Sequence, residues 1–220
     1  RAARPLAVAP TGQRREPRVA ETVRTRIEQM LGLHVDLSRF YRMAATDDQI
    51  GPLVARFRGL KPPRFATVFE SLLNAVALQQ LSLEAGLSLL NRLAATHGEV
   101  VSTDQVSLHA LPRPEALAGL RPQALRELGF SLRKATTIIE LSQAAATGRL
   151  NLEHLNRLAD DEVVSRLTSL RGIGRWSAEY ALLRGLGRLH VFPGDDVGAR
   201  SNLARLLDLA PPLDYHAVAQ

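Results

Sequence analysis

The residues able to do chemistry in this 220-residue chain gather in one stretch, 169–200, "SLRGIGRWSAEYALLRGLGRLHVFPGDDVGAR". Gly172 and Gly174 bracket a single isoleucine, Ile173, in leucine-rich sequence of helical character. Glycine reaches backbone angles that a side chain forbids, so two helices can turn sharply there. Its N–H groups would then stand at the start of the second helix, where unpaired donors and a partial positive charge suit a phosphate. Ile173 can point inward and pin the two helices together. Farther on, Pro193 and Gly194 make a turn, and Asp195 and Asp196 precede another amphipathic stretch. An aspartate there is first of all a helix N-cap, worth about 1 kcal/mol. A helix start also favours the ionised carboxylate, so capping and chemistry can coexist in one residue. Trp176 and Tyr180 lie four apart and share a helix face. Aromatics so spaced usually belong to a core, but next to a phosphate-binding turn they also suit a pocket for a base drawn out of a duplex.

Taken alone, G-x-G marks a tight helix–helix turn more often than a ligand site. The longer pattern L-x-x-L-x-G-I-G-x-W, running from Leu167 to Trp176, is more specific. It reads as a helix–hairpin–helix, a grip on the DNA backbone that positions without reading bases.

The elements that must hold this stretch are helices. Val19, Val23, Ile27 and Met30 recur at helical spacing up to Gly32, and a second helix is predicted over about 47–57. "GLKPPRF" then breaks the chain. "FATVFESLLNAVAL" places Val68, Leu72, Ala75 and Val76 on one face, "QQLS" interrupts, and "LEAGLSLLNRLAATHG" ends on Gly98. Two short helices open with proline in the first turn, where the missing N–H costs nothing. Longer helices follow in "SLRKATTIIELSQAAATG" and "DDEVVSRLTSL". No apolar alternation of useful length occurs after residue 20, so the expected fold is mainly α, with short connections.

Composition narrows the function classes. The 28 basic and 22 acidic residues leave a formal charge of +6, which fits a nucleic-acid partner without demanding one. Only two basic residues are lysine, Lys61 and Lys134; a GC-rich genome would explain the arginine excess as readily as function does. With no cysteine, disulfides, thiol nucleophiles and thiolate metal sites are excluded. The histidines are scattered singly, unlike the close pairs of a metal site. No apolar run spans a bilayer and no signal-peptide pattern occurs, so an intracellular soluble protein is expected. The chain opens on Arg1 instead of methionine and is expected to be trimmed or partial.

Together, "LRGIGRWSAEYALLRGLGRLHVFPGDD", "GLKPPRFATVFESLLNAVALQQLS" and "LGFSLRKATTIIELS" resemble the helix–hairpin–helix, Gly-Pro-Asp (HhH-GPD) base-excision DNA glycosylases. The closest branch is the 3-methyladenine DNA glycosylase II type, and the likeness covers about residues 35–210. It implies two helical subdomains with the active-site cleft between them. Residues 1–17 would be an arm or the remnant of a sheet domain, 18–60 an N-terminal helical segment, and 61–220 the catalytic core. Within that core the hairpin would span 160–186 and the aspartate loop 191–198.

Carried over by position, Asp196 matches the catalytic aspartate, and Trp176 and Tyr180 match the base pocket. Gly172, Ile173, Gly174 and Ser177 match the DNA-gripping hairpin, and Gln80 the side chain that fills the gap left by a flipped base. Hairpin carbonyls, here those of Leu170 and Gly172, can hold a monovalent cation in this branch; no cofactor is implied. Bifunctional relatives carry a lysine where Trp176 stands, and neither lysine here is expected near the hairpin, so the resemblance implies hydrolysis without lyase activity. Leu78 replaces a frequent glycine, and a final helix with further tryptophans is not found before Gln220. The expected partner is double-stranded DNA with alkylated bases, engaged by a monomer in the cytoplasm, or at the nucleoid in a bacterium. The alternative is a non-catalytic DNA-binding module that keeps the hairpin and uses Asp196 only as a cap.

Overall fold

The computed structural model describes residues 17–102, 105–209, 213 and 215. The arm expected over 1–17 lies outside them except for Pro17, which opens α1 (Pro17–Leu31). Then come α2 (Ser38–Ala44), α3 (Ile50–Arg56), α4 (Val68–Leu78) and α5 (Leu83–His97). A two-stranded antiparallel hairpin follows, β1 (Val100–Ser102) and β2 (Ser107–His109), with Val101 opposite Leu108. The remaining helices are α6 (Pro114–Ala118), α7 (Pro122–Glu127), α8 (Leu132–Ala146) and α9 (Asp160–Thr168), the last preceded by a 3-10 turn over Glu153–Arg157. Last are α10 (Arg175–Ala181), which runs on as a π turn over Leu182–Leu186, and α11 (Val197–Leu206).

Local chemistry sets most of these boundaries. Thr67, Ser82 and Ser131 each accept the amide of the third residue onward, at 3.1, 3.2 and 3.3 Å, and so start α4, α5 and α8. Glu162 reaches back to the Ala159 amide at the start of α9. Prolines stand in the first turns of α6 and α7. α3 starts three residues later than the sequence predicts, because the Asp47 carboxylate takes the amides of Gln49 and Ile50 and holds a turn there.

α4 departs from its predicted single apolar face. All of its residues except Glu70 and Leu78 are buried. It is the central helix, packed by α5, α8 and α10, and a helix surrounded on every side needs apolar residues all round. The core runs from α4 through the π turn and takes in Leu72, Leu93, Leu117, Ile138, Leu167 and Leu182. It includes no residue of α1, α2 or α3. α1 is tied on by polar contacts through the 61–67 segment. The Arg64 amide donates to Met30 O (2.8 Å), the Arg64 guanidinium to Gly185 O (2.9 Å), and the Phe65 amide to Arg184 O (2.8 Å).

Three elements escape the sequence reading. β1 and β2 are three residues each and exposed throughout, so no alternation of burial marks them. α2 is seven residues long with one buried side chain, Ala44. Among the described residues, no helix is long and apolar enough to cross a membrane.

Candidate active site

α9 ends at Thr168, and the chain turns through Arg171–Gly174 into α10. The two glycines do different work. Gly172 has φ +84°, and a Cβ on it would lie 2.0 Å from Thr137 Oγ1 of α8. Both the angle and the close approach require glycine. Gly174, the N-cap of α10, has φ −94° and ψ 176°, angles open to any residue, with no atom within 4 Å of where its Cβ would stand. Backbone conformation therefore does not explain Gly174; it leaves bare backbone facing open space. Among the described residues, neither the Gly172 nor the Gly174 amide has an internal acceptor. Ile173 is 4% exposed and belongs to the core, so it fastens the turn from within.

Asp196 opens α11. Its Oδ1 accepts the Ala199 amide at 2.8 Å, and its Oδ2 accepts the Trp176 indole N–H at 3.1 Å. Each carboxylate oxygen thus has one fixed donor, and the group is aimed while still half-exposed. Capping is confirmed as geometry, and it leaves lone pairs on both oxygens for another partner.

Trp176 and Tyr180 lie with ring centroids 5.4 Å apart. Tyr180 is backed by Phe65 at 6.2 Å and by the Arg184 guanidinium, 5.5 Å from its ring centre. Its hydroxyl donates to Asn74 at 2.8 Å. Burial lifts the Tyr180 phenol above its ordinary range; the Asp196 charge adds to that and Arg184 opposes it. Phe65, Asn74 and Arg184 were not singled out in the sequence, since they come from three separate segments.

A cleft of about 550 Å³ gathers these groups. Its walls include Gly172, Gly174, Trp176, Ser177, Asp195 and Asp196, together with Gln80. Tyr180 is not on its wall, and its ring lies tilted at 35° to that of Trp176. A second cavity, about 640 Å³, is lined by Glu70, Glu99, Arg113 and Glu115 and by none of the site residues expected from sequence.

Gln80 is exposed, with φ +56°, a left-handed conformation that costs a non-glycine residue about 1–2 kcal/mol. Leu78 turns back onto α5, where a Cβ on Gly86 would lie 2.3 Å from its Cδ2. Two further residues on the cleft wall were missed. Gln79 donates from Nε2 to both Gly172 O and Ser177 Oγ, each at 3.0 Å. Lys134 also lines the cleft, against the expectation that no lysine lies near the hairpin. Thirty-eight positions separate it from Gly172 in sequence, and α8 carries it there. Its ammonium donates to Ala77 O at 2.9 Å, and burial lowers its pKa.

The carbonyls expected to hold a monovalent cation already have donors. Leu170 O accepts the Ile173 amide at 3.1 Å and Gly172 O accepts Gln79. A cation would have to share both oxygens, so no step is assigned to one. Among the described residues, no group of three or more His, Asp or Glu could hold a metal ion.

A helical bundle thus brings a glycine turn, an aimed carboxylate and an indole onto one cleft. The family model of the HhH-GPD superfamily of base excision DNA repair proteins matches residues 73–216, and the chain belongs to that family. It is 31% identical over 172 residues to the DNA-3-methyladenine glycosylase of Bacillus subtilis, covering 78% of this chain and 57% of that one. Against DNA-3-methyladenine glycosylase 2 of Escherichia coli it is 34% identical over 147 residues, 67% of this chain and 51% of the other. Among solved structures, the 3-methyladenine DNA glycosylase of Archaeoglobus fulgidus superposes with a TM-score of 0.82 at 32% identity, covering 92% of this chain and 68% of that one. The chain spans about half to three-fifths of the length of the curated relatives it matches.

Proposed function

We propose that this chain is a DNA glycosylase that releases alkylated bases of the 3-methyladenine type from double-stranded DNA, leaving an abasic site. The observation that carries the reading is the aimed carboxylate of Asp196, shared between the Trp176 indole and the Ala199 amide on the same cleft as the open hairpin amides. The amides of Gly172 and Gly174 hold a backbone phosphate. Gln80 enters the stack and the damaged nucleotide swings out. An alkylated purine is cationic and leaves with the bonding pair as a neutral base. Asp196 stabilises the sugar cation that develops and orients the water whose oxygen bonds to C1′. Trp176 faces the cationic base, an interaction of about 0.5–2 kcal/mol, and Tyr180 supports the indole.

Hydrolysis without strand cleavage is part of this reading. Trp176 has no amine, and the Lys134 ammonium donates to Ala77 O at the end of α4. Borohydride trapping on abasic duplex is expected to give no covalent adduct; an adduct lost in Lys134→Ala would overturn this. We also read the chain as dividing near residue 61, supported by a core that begins at Val68.

The test is release of 3-methyladenine from methylated duplex DNA by the wild type and by Asp196→Asn. Asparagine keeps an oxygen for the cap and removes the charge. Release is expected to fall at least about 100-fold with duplex affinity retained. Equal release by both proteins would remove Asp196 from the chemistry. No release by either, with salt-sensitive binding intact, would leave a non-catalytic DNA-binding module.

A further inference from the structure

The loop that carries Gln80 and the hairpin that faces the phosphate are parts of one hydrogen-bonded unit. α4 ends at Leu78; Gln79 leaves the helix with φ −48° and ψ 124°, and Gln80 follows in the left-handed region. The side-chain amide of Gln79 has two N–H bonds and two acceptors, the Gly172 carbonyl in the turn and the Ser177 hydroxyl in the first turn of α10. Ser177 is 1% exposed, so this contact is sheltered from water. Lys134 braces the same loop from the other side by donating to Ala77 O, in the last turn of α4. One turn along α8 from Lys134, Thr137 fills the space against Gly172 where a Cβ would stand. The left-handed Gln80 thus follows directly on two fixed points, Ala77 tied to α8 and Gln79 tied to the hairpin.

We propose that Gln79 is a positioning residue that makes phosphate capture by the hairpin and insertion of Gln80 into the duplex a single event. This rests on the glycosylase reading above. The Gly172 carbonyl accepts from Gln79, and its N–H has no acceptor among the described residues, so a phosphate that fixes that turn also fixes the base of the loop. Without the tie, the hairpin still holds DNA, but Gln80 loses its set direction and the nucleotide spends less time outside the stack. Gln79 touches neither base nor sugar in this arrangement; it acts through Gln80.

The experiment compares wild type with Gln79→Glu, Gln79→Ala and Ser177→Ala on a duplex holding a 2′-fluorinated 7-methylguanine nucleotide. The fluorine withdraws electrons from the sugar and so resists cleavage, and its NMR resonance separates stacked from extrahelical populations. Gln79→Glu keeps the size of the side chain but cannot donate to Gly172 O. The extrahelical population and the single-turnover release rate on cleavable DNA are expected to fall together by about tenfold or more. Affinity of Gln79→Ala for undamaged duplex is expected to stay within about threefold, because the hairpin amides are untouched and no charge is added. Ser177→Ala, which removes one of two acceptors, is expected to give a smaller loss of the same kind, and it decides the matter should the Gln79 variants not fold. A wild-type extrahelical population in Gln79→Glu would overturn the proposal. So would equal losses of undamaged-duplex affinity and release in Gln79→Ala, which would make the tie a support of the hairpin alone. If wild type releases no base while its extrahelical population still depends on Gln79, the glycosylase reading fails and the coupling stands.

Discussion

At the scale of single residues, the hairpin glycines make opposite predictions although the sequence writes them alike. Gly172→Ala forces a left-handed alanine against Thr137 and is expected to lower stability by about 1–2 kcal/mol from the angle alone, before any clash. Thermal denaturation reads that as a Tm loss of several degrees. Gly174→Ala has ordinary angles and free space, so its Tm is expected to match the wild type. Its methyl would stand where the proposed function brings the phosphate, and duplex affinity at fixed salt is expected to fall about tenfold, the scale of one charge-assisted hydrogen bond. A Gly174→Ala protein with unaltered affinity would remove that amide from the DNA interface. The sequence showed where these glycines are, but only the placement of α8 separates the one that shapes the turn from the one that leaves it open.

At the scale of elements, the start of α9 is tied to the segment leading into the aspartate loop. Asp160 accepts from Arg188 and from His190, the latter at 2.7 Å. Burial would raise its pKa, but the hydrogen bonds and charges of Arg188 and His190 outweigh that and hold the carboxyl below its ordinary range. A group lowered in the folded state stabilises above its unfolded pKa, and that contribution is lost as pH falls through the folded value. Asp160→Asn is therefore expected to melt a few degrees below wild type near neutral pH, with the gap closing under acid; a gap that persists at pH below the carboxylate range would make the loss one of packing. Legibility followed element length. α5, α8 and α9 carry full apolar periods and side-chain signals at their starts, and the sequence places them closely. α2, β1 and β2 are too short to bury a face, so they leave no period to read. The candidate site was legible where its residues are consecutive, from Gly172 to Asp196. It was not legible for Asn74, Gln79 and Lys134, whose roles come from contacts between elements distant in sequence.

At the scale of the whole molecule, the +6 charge supports a DNA partner with a definite signature. Each phosphate neutralised steepens the fall of log affinity with log salt by about 0.9. Undamaged duplex binding is expected to show a slope of several such increments, shared by wild type and Asp196→Asn, since the proposed function puts that residue at the sugar and not at a phosphate. A slope near zero would leave the hairpin without an electrostatic interface.

Trp176 is the single tryptophan of the chain, and its indole nitrogen is bonded to Asp196 while its ring leans on Tyr180. The native ultraviolet emission of the indole therefore comes from the cleft wall and from nowhere else in the molecule. Any event that displaces the Asp196 carboxylate, or lays an aromatic base on the ring, changes that emission directly. The protein carries its own optical reporter of cleft occupancy, and the filling of the site can be timed in a stopped-flow instrument without attaching a dye.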